Sequence, residues 1–375
     1  MGLLIAMASI IGRCLLDSGG ALRIVKSLLG LMGQARVHLA FVVTGFTLAI
    51  PVYFDAVFYL LMPIGKAMAR TTGKDYLLYV LTIVAGATMA HSLVPPTPGP
   101  TFAAKELGVP IGMMMAGGAI LGLFTAGFGL LYALWANRHF KIELPPEDAQ
   151  TPGSEEVPDS ALPPLVLALL PIVIPLGLIC YGAFAKPVWF TNSGVALSFG
   201  AVASLGMLTR FRQPGMEKPS EAVQGAIMSG ATILLITAAG GALGSVLRQT
   251  DIASVIQSLG GAAAQSWALP MVFAITALVR TAQGSATVAM ITAAPIAKAF
   301  AESGDLGFHP LYLALAVGCG SKPVPWLNDS GFWIITRMTG MKESQTLKLV
   351  TPMMSLMGLV GLPLVMLGAW LYPMR

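Results

Sequence analysis

Long apolar stretches constrain this chain more than any other feature of its sequence. Residues 162–183, 193–208 and 349–371 contain no charged residue, and each is close to the roughly 20 residues that cross a bilayer core as a helix. Only 10% of the 375 residues are charged, whereas an ordinary globular domain carries about 25%. A water-soluble chain of this length needs a polar exterior that is missing here. The sequence therefore predicts an all-α polytopic membrane protein.

The cysteines and the positive charge point to no metal centre and no nucleic acid. Cys14, Cys180 and Cys319 lie far apart inside apolar segments, without a CxxC spacing, so they are expected to act as small hydrophobic residues. The net charge of +5 is spread over short loops, as expected for cytoplasmic loops of a membrane protein. We expect no cofactor, no metal and no nucleic-acid partner.

A charged, proline-rich stretch at residues 142–163 divides the apolar pattern into two halves. It has too few apolar residues to bury a face, which is typical of a solvated linker. The sequence thus predicts a first repeat at residues 1–136, a cytoplasmic linker at residues 137–161 and a second repeat at residues 162–375.

The two halves align with each other at a nearly constant offset along the chain. Residues 12–30 resemble residues 244–261, and polar interruptions then follow in the same order in both halves. These interruptions are residues 53–55 and 95–100 in the first half, and residues 283–285 and 328–331 in the second. Many secondary transporters are built from such internal repeats.

The distribution of charge predicts that the two repeats have opposite orientations. Basic residues flank the first-half interruption, whereas the second-half flanks are mixed or acidic. The first set is Arg13, Arg23, Lys26, Arg36, Lys66, Arg70 and Lys74, and the second is Arg248 and Lys298 with Asp251, Glu302 and Asp305. The positive-inside rule then makes the chain an inverted-topology repeat with paired re-entrant hairpins and broken transmembrane helices. The second half also begins with two extra spans, so we expect their first-half counterparts upstream of Met1, by roughly 70 residues.

Four prolines within residues 95–100 prevent a continuous helix at membrane depth, because proline lacks the backbone donor and clashes with the preceding turn. Irregular backbone is tolerated in a membrane only where it lines a cavity. Thr97 and Gly99 are therefore predicted to face a substrate. The alternative is an ordinary turn outside the membrane.

The second half contains two comparable breaks. Gln283, Ser285 and Thr287 cluster beside Gly284 between apolar runs, although small hydroxyl residues also serve helix packing in membranes. The second break holds Asn328, Asp329 and Ser330, and Asp55 is the first-half acid in a similar setting. A carboxylate in an apolar segment is costly and usually functional. Helix starts at such breaks direct their positive dipole ends into the cavity, which favours an anionic substrate.

These segments resemble the signature segments of the gluconate permease (gluconate:proton symporter) family. The similarity is carried by residues 91–100, 282–289 and 327–333, and more weakly by residues 17–21 and 50–55. It implies a fold of the wider ion-transporter superfamily, with alternating access, in the inner membrane of a bacterium. It further implies proton-coupled uptake of gluconate or a related sugar acid or hydroxy acid.

Two departures from the family pattern leave the substrate open. Several gluconate permeases have histidine where Thr97 stands, and the segment that contains Lys322 and Trp326 is unusual. Lys322 is either a counter-ion for a substrate carboxylate, or a side chain that snorkels to an interface or pairs with Asp329. Trp326 is a candidate for stacking against the carbon chain of a sugar acid.

Coupling to protons needs a group that changes its charge during the cycle. Asp55 and Asp329 are the first candidates because partial burial disfavours the charged form of a carboxyl group, and His91 is the next because its reference pKa lies closest to physiological pH. Arg280 and Arg13 could each neutralise an acid, but a position facing a loop is favoured for both. Coupling to Na⁺ stays an alternative, because Ser285 and Thr287 offer oxygen ligands.

An intramembrane enzyme is the rival class. The chain contains no HExxH, GxGD or GxSxG motif, so no catalytic residue is predicted. The expected partners are a small gluconate-like anion and the lipid bilayer, with a homodimer as one option for the assembly.

Overall fold

The computed structural model describes residues 2–33, 36–144, 158–184, 189–212, 216, 218–248, 252–302 and 306–374, and it contains no strand among them. The helices of the first half are α1 (Gly2–Asp17), α2 (Gly20–Met32), α3 (Val37–Leu48), α4 (Phe54–Thr72), α5 (Tyr76–Leu93), α6 (Pro98–Glu106) and α7 (Ile111–His139). Those of the second half are α8 (Leu165–Phe184), α9 (Ser193–Phe211), α10 (Pro219–Arg248), α11 (Ile252–Gln283), α12 (Ala286–Glu302), α13 (Leu311–Gly320), α14 (Ser330–Thr339) and α15 (Glu343–Leu371).

Several helices are long and apolar enough to cross a membrane. In the described residues these are Tyr76–Glu106, which joins α5 and α6, and α7, α9 and α15; the bent pair α1 and α2 makes a fifth if it counts as one span. Large apolar side chains such as Ile120, Leu123 and Phe124 on α7 are more than half exposed. Such a surface suits lipid and not water. The predicted polytopic all-α fold class is confirmed.

The helices repeat along the chain with a constant offset. The number of residues from the start of α4 to the start of α12 is the same as from α6 to α14 and from α7 to α15. Helices α7 and α15 are also equal in length, at 29 residues each. The packing repeats as well, since α5 lies against α3 and α7 while α13 lies against α11 and α15. The contact between α6 and α12 likewise matches the contact between α14 and α4. The repeat boundaries at residues 136 and 162 stay predictions.

Two helices form the centre of the molecule. Every residue of α5 except His91 is buried, and so is every residue of α13. Neither helix contains an acidic or a lysine residue, so both can be surrounded by protein without unpaired charge. Gly86 of α5 allows the close approach to α3, because a Cβ there would collide with the carbonyl of Val42.

Both central helices end at proline-rich breaks. The chain leaves α5 at Val94 and re-forms a helix at Pro98, and Pro323 and Pro325 lie in the longer break between α13 and α14. The break between α1 and α2 bends the pair by 65°, with Gly19 at a positive φ of 72°. Glycine tolerates this conformation because it has no Cβ. This bend lies within residues 17–21, one of the segments that resemble the gluconate permeases.

Some expectations fall outside the described residues. They concern most of the predicted linker, residues 145–157, and the acidic residues Asp251 and Asp305 that were used for orientation.

Candidate functional site

The helix breaks of both halves meet at a cavity of about 440 Å³. Three helices begin at its wall, namely α4 at Phe54, α12 at Ala286 and α14 at Ser330. The first backbone N–H groups of a helix have no intrahelical acceptor and carry partial positive charge. The cavity is therefore surrounded by helix ends that favour an anion.

Charged and polar side chains from both halves line the cavity. They come from the break before α4, from the end of α5, and from the breaks that flank α12 and α14. They are Tyr53, Asp55, Thr88, His91, Arg280, Ser285, Thr287, Lys322, Asp329 and Ser330.

The two second-half breaks, at residues 284–285 and 321–329, contact each other; we call this contact the second crossing. Asn328 donates from Nδ2 to the carbonyl of Thr281 at 2.9 Å and to that of Ala282 at 3.2 Å. Gly284 has a φ of 82°, and a Cβ there would collide with the backbone carbonyl of Asn328. Backbone carbonyls freed at the end of α11 are thus satisfied by the neighbouring break.

Arg280 links the two breaks of the second crossing by hydrogen bonds. This side chain is only 1% exposed. Its guanidinium donates to Asp329 Oδ2 at 2.5 Å, to the carbonyl of Ser321 at 3.1 Å and to the carbonyl of Gly284. The other oxygen of Asp329 accepts from the backbone N–H of Gly331 at 3.0 Å and so caps α14. These hydrogen bonds offset the cost of burying the two charges, and removing either partner would leave an uncompensated buried charge.

Lys322 is the second buried cation at the cavity, also 1% exposed. Its Nζ donates to the hydroxyl of Thr88 on α5 at 3.0 Å. In the described part of the chain no carboxylate forms an ion pair with this ammonium. Burying a charge without a directly paired counter-ion is unfavourable, and the carboxylate of a ligand could supply that pair.

The first half contributes an acid, a phenol and an imidazole to the opposite wall. Asp55 is half-buried in the first turn of α4, and its carboxylate has no hydrogen bond or ion pair to another described residue. The Tyr53 hydroxyl lies 3.0 Å from that of Ser9 on α1. The His91 ring packs edge-on against Tyr53, and its buried Nδ1 has no hydrogen-bond partner among the described residues.

The structure brings together most, but not all, of the residues predicted for the site. Seven of them line the cavity: Asp55, His91, Ser285, Thr287, Lys322, Asp329 and Ser330. Thr97, Gly99, Gln283 and Asn328 do not line it. The Thr97 hydroxyl is buried and donates to the carbonyl of Val94 at 2.7 Å. Gly99 packs against Met290 of α12, and Gln283 is exposed.

Two expectations about basic residues are corrected by the structure. The position facing a loop that was favoured for Arg280 is wrong, and its alternative role of neutralising an acid is found instead, because Arg280 is buried and pairs with Asp329. Lys322 neither snorkels to an interface nor pairs with Asp329, since it is buried and bonded to Thr88. Trp326 does not line the cavity, and its Nε1 donates to the carbonyl of Thr281 at 2.9 Å.

Tyr53 and Thr88 were not predicted from the sequence. Both are ordinary residue types for an apolar span, and neither breaks a helix. The available signals were that Tyr53 opens the predicted interruption at residues 53–55 and that Thr88 lies three positions before His91.

We expect the second crossing to be sensitive to a single methyl group at residue 284. Gly284→Ala should lose about 1–3 kcal/mol more stability than Gly108→Ala, because overpacking adds to the cost of a positive φ. Gly108 is the matched control, since its φ is 68° and a Cβ there would meet nothing within 4 Å. Thermal unfolding of both purified variants measures the difference. Equal losses would show that the contact with Asn328 contributes nothing.

Comparison with known proteins places the chain in a family. The model of the GntP family permeases matches residues 1–371. A gluconate permease of Pseudomonas aeruginosa is 30% identical, over 98% of this chain and 84% of that protein. The low-affinity gluconate transporter of Escherichia coli is also 30% identical, over 96% and 83%, and the Gnt-II system L-idonate transporter of the same species is 28% identical, over 96% and 84%.

A solved structure has the same fold. The YdaH transporter of Alcanivorax borkumensis, described as having an unusual topology, matches with a TM-score of 0.61. The match covers 98% of this chain and 85% of that one at 15% identity, so it supports the fold alone.

The family model and the named relatives identify a membrane permease and not an enzyme, in agreement with several helices long and apolar enough to cross a membrane. The chain belongs to the GntP permease family.

Proposed function

We propose that the chain carries gluconate or a related sugar acid or hydroxy acid into the cell, driven by the proton gradient across the bacterial inner membrane. The observation that carries this proposal is Lys322, a buried ammonium in the cavity wall without a carboxylate partner among the described residues. The carboxylate of the substrate would complete that pair. The names of relatives that carry gluconate or L-idonate, both sugar acids, support the same substrate class.

The rest of the cavity suits the hydroxyl groups of such an acid. Ser285, Thr287 and Ser330 place hydroxyls at the starts of α12 and α14, and a hydroxyl can both donate and accept a hydrogen bond. The volume of about 440 Å³ falls within the roughly 300–1,000 Å³ of small-molecule sites. The carboxylate of the substrate would bind Lys322, and its hydroxyl-bearing carbon chain would lie along Ser285, Thr287 and Ser330.

Asp55 is the proposed site of the coupling proton. Its carboxyl group lines the same cavity and has no partner among the described residues, so it is free to gain and lose a proton. Asp329 is the weaker candidate because its charge is neutralised by Arg280. His91, with its unpartnered Nδ1, is a second candidate for a proton relay in the first half.

Uptake into vesicles tests the proposed function. Vesicles that contain the purified protein should accumulate labelled gluconate when the outside is made acidic, and they should do so in Na⁺-free buffer. Uptake that requires Na⁺ and ignores the pH gradient would favour the alternative, a Na⁺-coupled carboxylate transporter. A homodimer stays a prediction.

Asp55→Asn should abolish accumulation driven by the pH gradient while leaving gluconate exchange across the vesicle membrane measurable. Asparagine keeps the size of the side chain but cannot take up a proton. The control is Asp75→Asn, since Asp75 lies away from the cavity and bonds to Asn137 at 2.8 Å. Gradient-driven accumulation by Asp55→Asn at the level of the unmodified protein would remove Asp55 from the coupling.

A further inference from the structure

We infer that the guanidinium of Arg280 is a built-in cation that occupies the position of a coupling metal ion, so that the second crossing is complete without Na⁺. This inference deepens the proposed function and rests on it, because it explains why transport would run on protons alone.

The argument begins with the oxygen atoms around Arg280. They are the carbonyl of Gly284 just after α11, the carbonyl of Ser321 just after α13, and one carboxylate oxygen of Asp329 before α14. Hard cations prefer carbonyl and carboxylate oxygens. In transporters with broken helices, the carbonyls at unwound segments and at the C-terminal ends of half-helices are the groups that coordinate Na⁺.

The guanidinium already uses the three oxygens that a cation at this position would need. Arg280 is 1% exposed and its three nitrogens each bond to one oxygen of this set. The side chain joins two breaks that are far apart in sequence, at residues 284–285 and 321–329, as a coordinated ion would. Unlike an ion, it is covalently attached and cannot leave during a transport cycle.

The first half has no equivalent charge. Counting back from Arg280 by the separation between the starts of α4 and α12 leads to Leu48, which is fully buried. At the break between α5 and α6, the Thr97 hydroxyl donates to the carbonyl of Val94 and the Thr101 hydroxyl donates to the carbonyl of Thr97, both at 2.7 Å. The carbonyls at this break therefore accept hydrogen bonds from threonine hydroxyls and not from a cationic side chain.

Thermal unfolding in different salts tests the inference, and it needs no substrate. The purified protein should unfold at the same temperature in NaCl, KCl and N-methyl-D-glucamine chloride. Arg280→Ala should unfold at a lower temperature, and Na⁺ should raise it selectively, by about 2–4 °C once Na⁺ exceeds its dissociation constant tenfold. Arg280→Lys keeps a tethered cation and should remain insensitive to Na⁺.

Arg13→Ala is the matched control. Arg13 also pairs with an aspartate, Asp17 at 2.7 Å, but its side chain is 40% exposed and lies outside the second crossing. Its unfolding temperature should not depend on the choice of cation. The inference is overturned if the unmodified protein is selectively stabilised by Na⁺, or if Arg280→Ala responds to salts as the unmodified protein does.

Two further results keep this test separate from the test of transport. If Arg280→Ala does not fold, Na⁺-insensitivity of the unmodified protein and of Arg280→Lys supports the inference, and Na⁺-stabilisation of either overturns it. Failure of gluconate uptake would contradict the proposed function while leaving these unfolding temperatures to decide the role of Arg280.

Discussion

Lys322→Met should weaken gluconate binding by about 30-fold or more, since truncating one partner of a buried charge pair costs on the order of 2–5 kcal/mol. Methionine keeps the length of the side chain and removes the ammonium, so the packing around Thr88 and Cys319 should be largely preserved. Isothermal titration of the purified protein with gluconate measures the change in Kd.

The control for this prediction is Lys298→Met. Lys298 is partly exposed on α12 and pairs with Glu106 at 3.7 Å, away from the cavity. Its replacement removes the same charge from the chain, but gluconate affinity should stay within about twofold, because exposed ion pairs contribute little. Unchanged affinity in Lys322→Met would show that the carboxylate of gluconate binds elsewhere.

Breaking the ion pair between Arg280 and Asp329 should have the largest effect on stability. Asp329→Asn keeps an acceptor for the backbone N–H of Gly331 but leaves the guanidinium without its counter-charge, and Arg280→Met leaves the carboxylate unpaired. Each single change is expected to cost about 3–5 kcal/mol. The double variant should lose clearly less than the sum of the two, because it leaves no unpaired buried charge. Equilibrium unfolding of the four proteins completes the cycle.

The Arg13 and Asp17 pair gives the reference cycle. It has the same residue types with an N–O distance of 2.7 Å, but the arginine side chain is 40% exposed. Its coupling energy should be about 0.3–1 kcal/mol. Additive losses for Arg280→Met and Asp329→Asn would contradict the role assigned to the second crossing.

Much of the fold was predictable from the positions of proline and glycine. The break at residues 95–100 was expected because proline cannot continue a helix, and the break at residues 328–331 was expected because polar residues interrupt an apolar stretch there. The structure restarts helices at Pro98 and Ser330. The repeat was also visible, since the polar interruptions of the two halves recur at nearly the same separation as the equivalent helix starts.

The site was less predictable because it depends on which side chains meet across distant segments. The sequence indicated Asp329 and Lys322 as candidates because they are charges in apolar stretches. For Arg280, which lies at the end of a span, it favoured a position facing a loop. Its role follows only from the approach of residues 321–329 to the end of α11. Thr97 occupies the position equivalent to Asp329, one residue before its helix, yet its hydroxyl is used by the carbonyl of Val94.

The most direct test of the central claim compares two ligands that differ in charge. Gluconate and the neutral polyol glucitol have the same carbon chain length, but only gluconate has a carboxylate for Lys322. Isothermal titration of the purified protein should show saturable gluconate binding and at least about 30-fold weaker binding of glucitol. Equal affinity for the two, or no binding of gluconate, would contradict a sugar-acid site built around a buried ammonium.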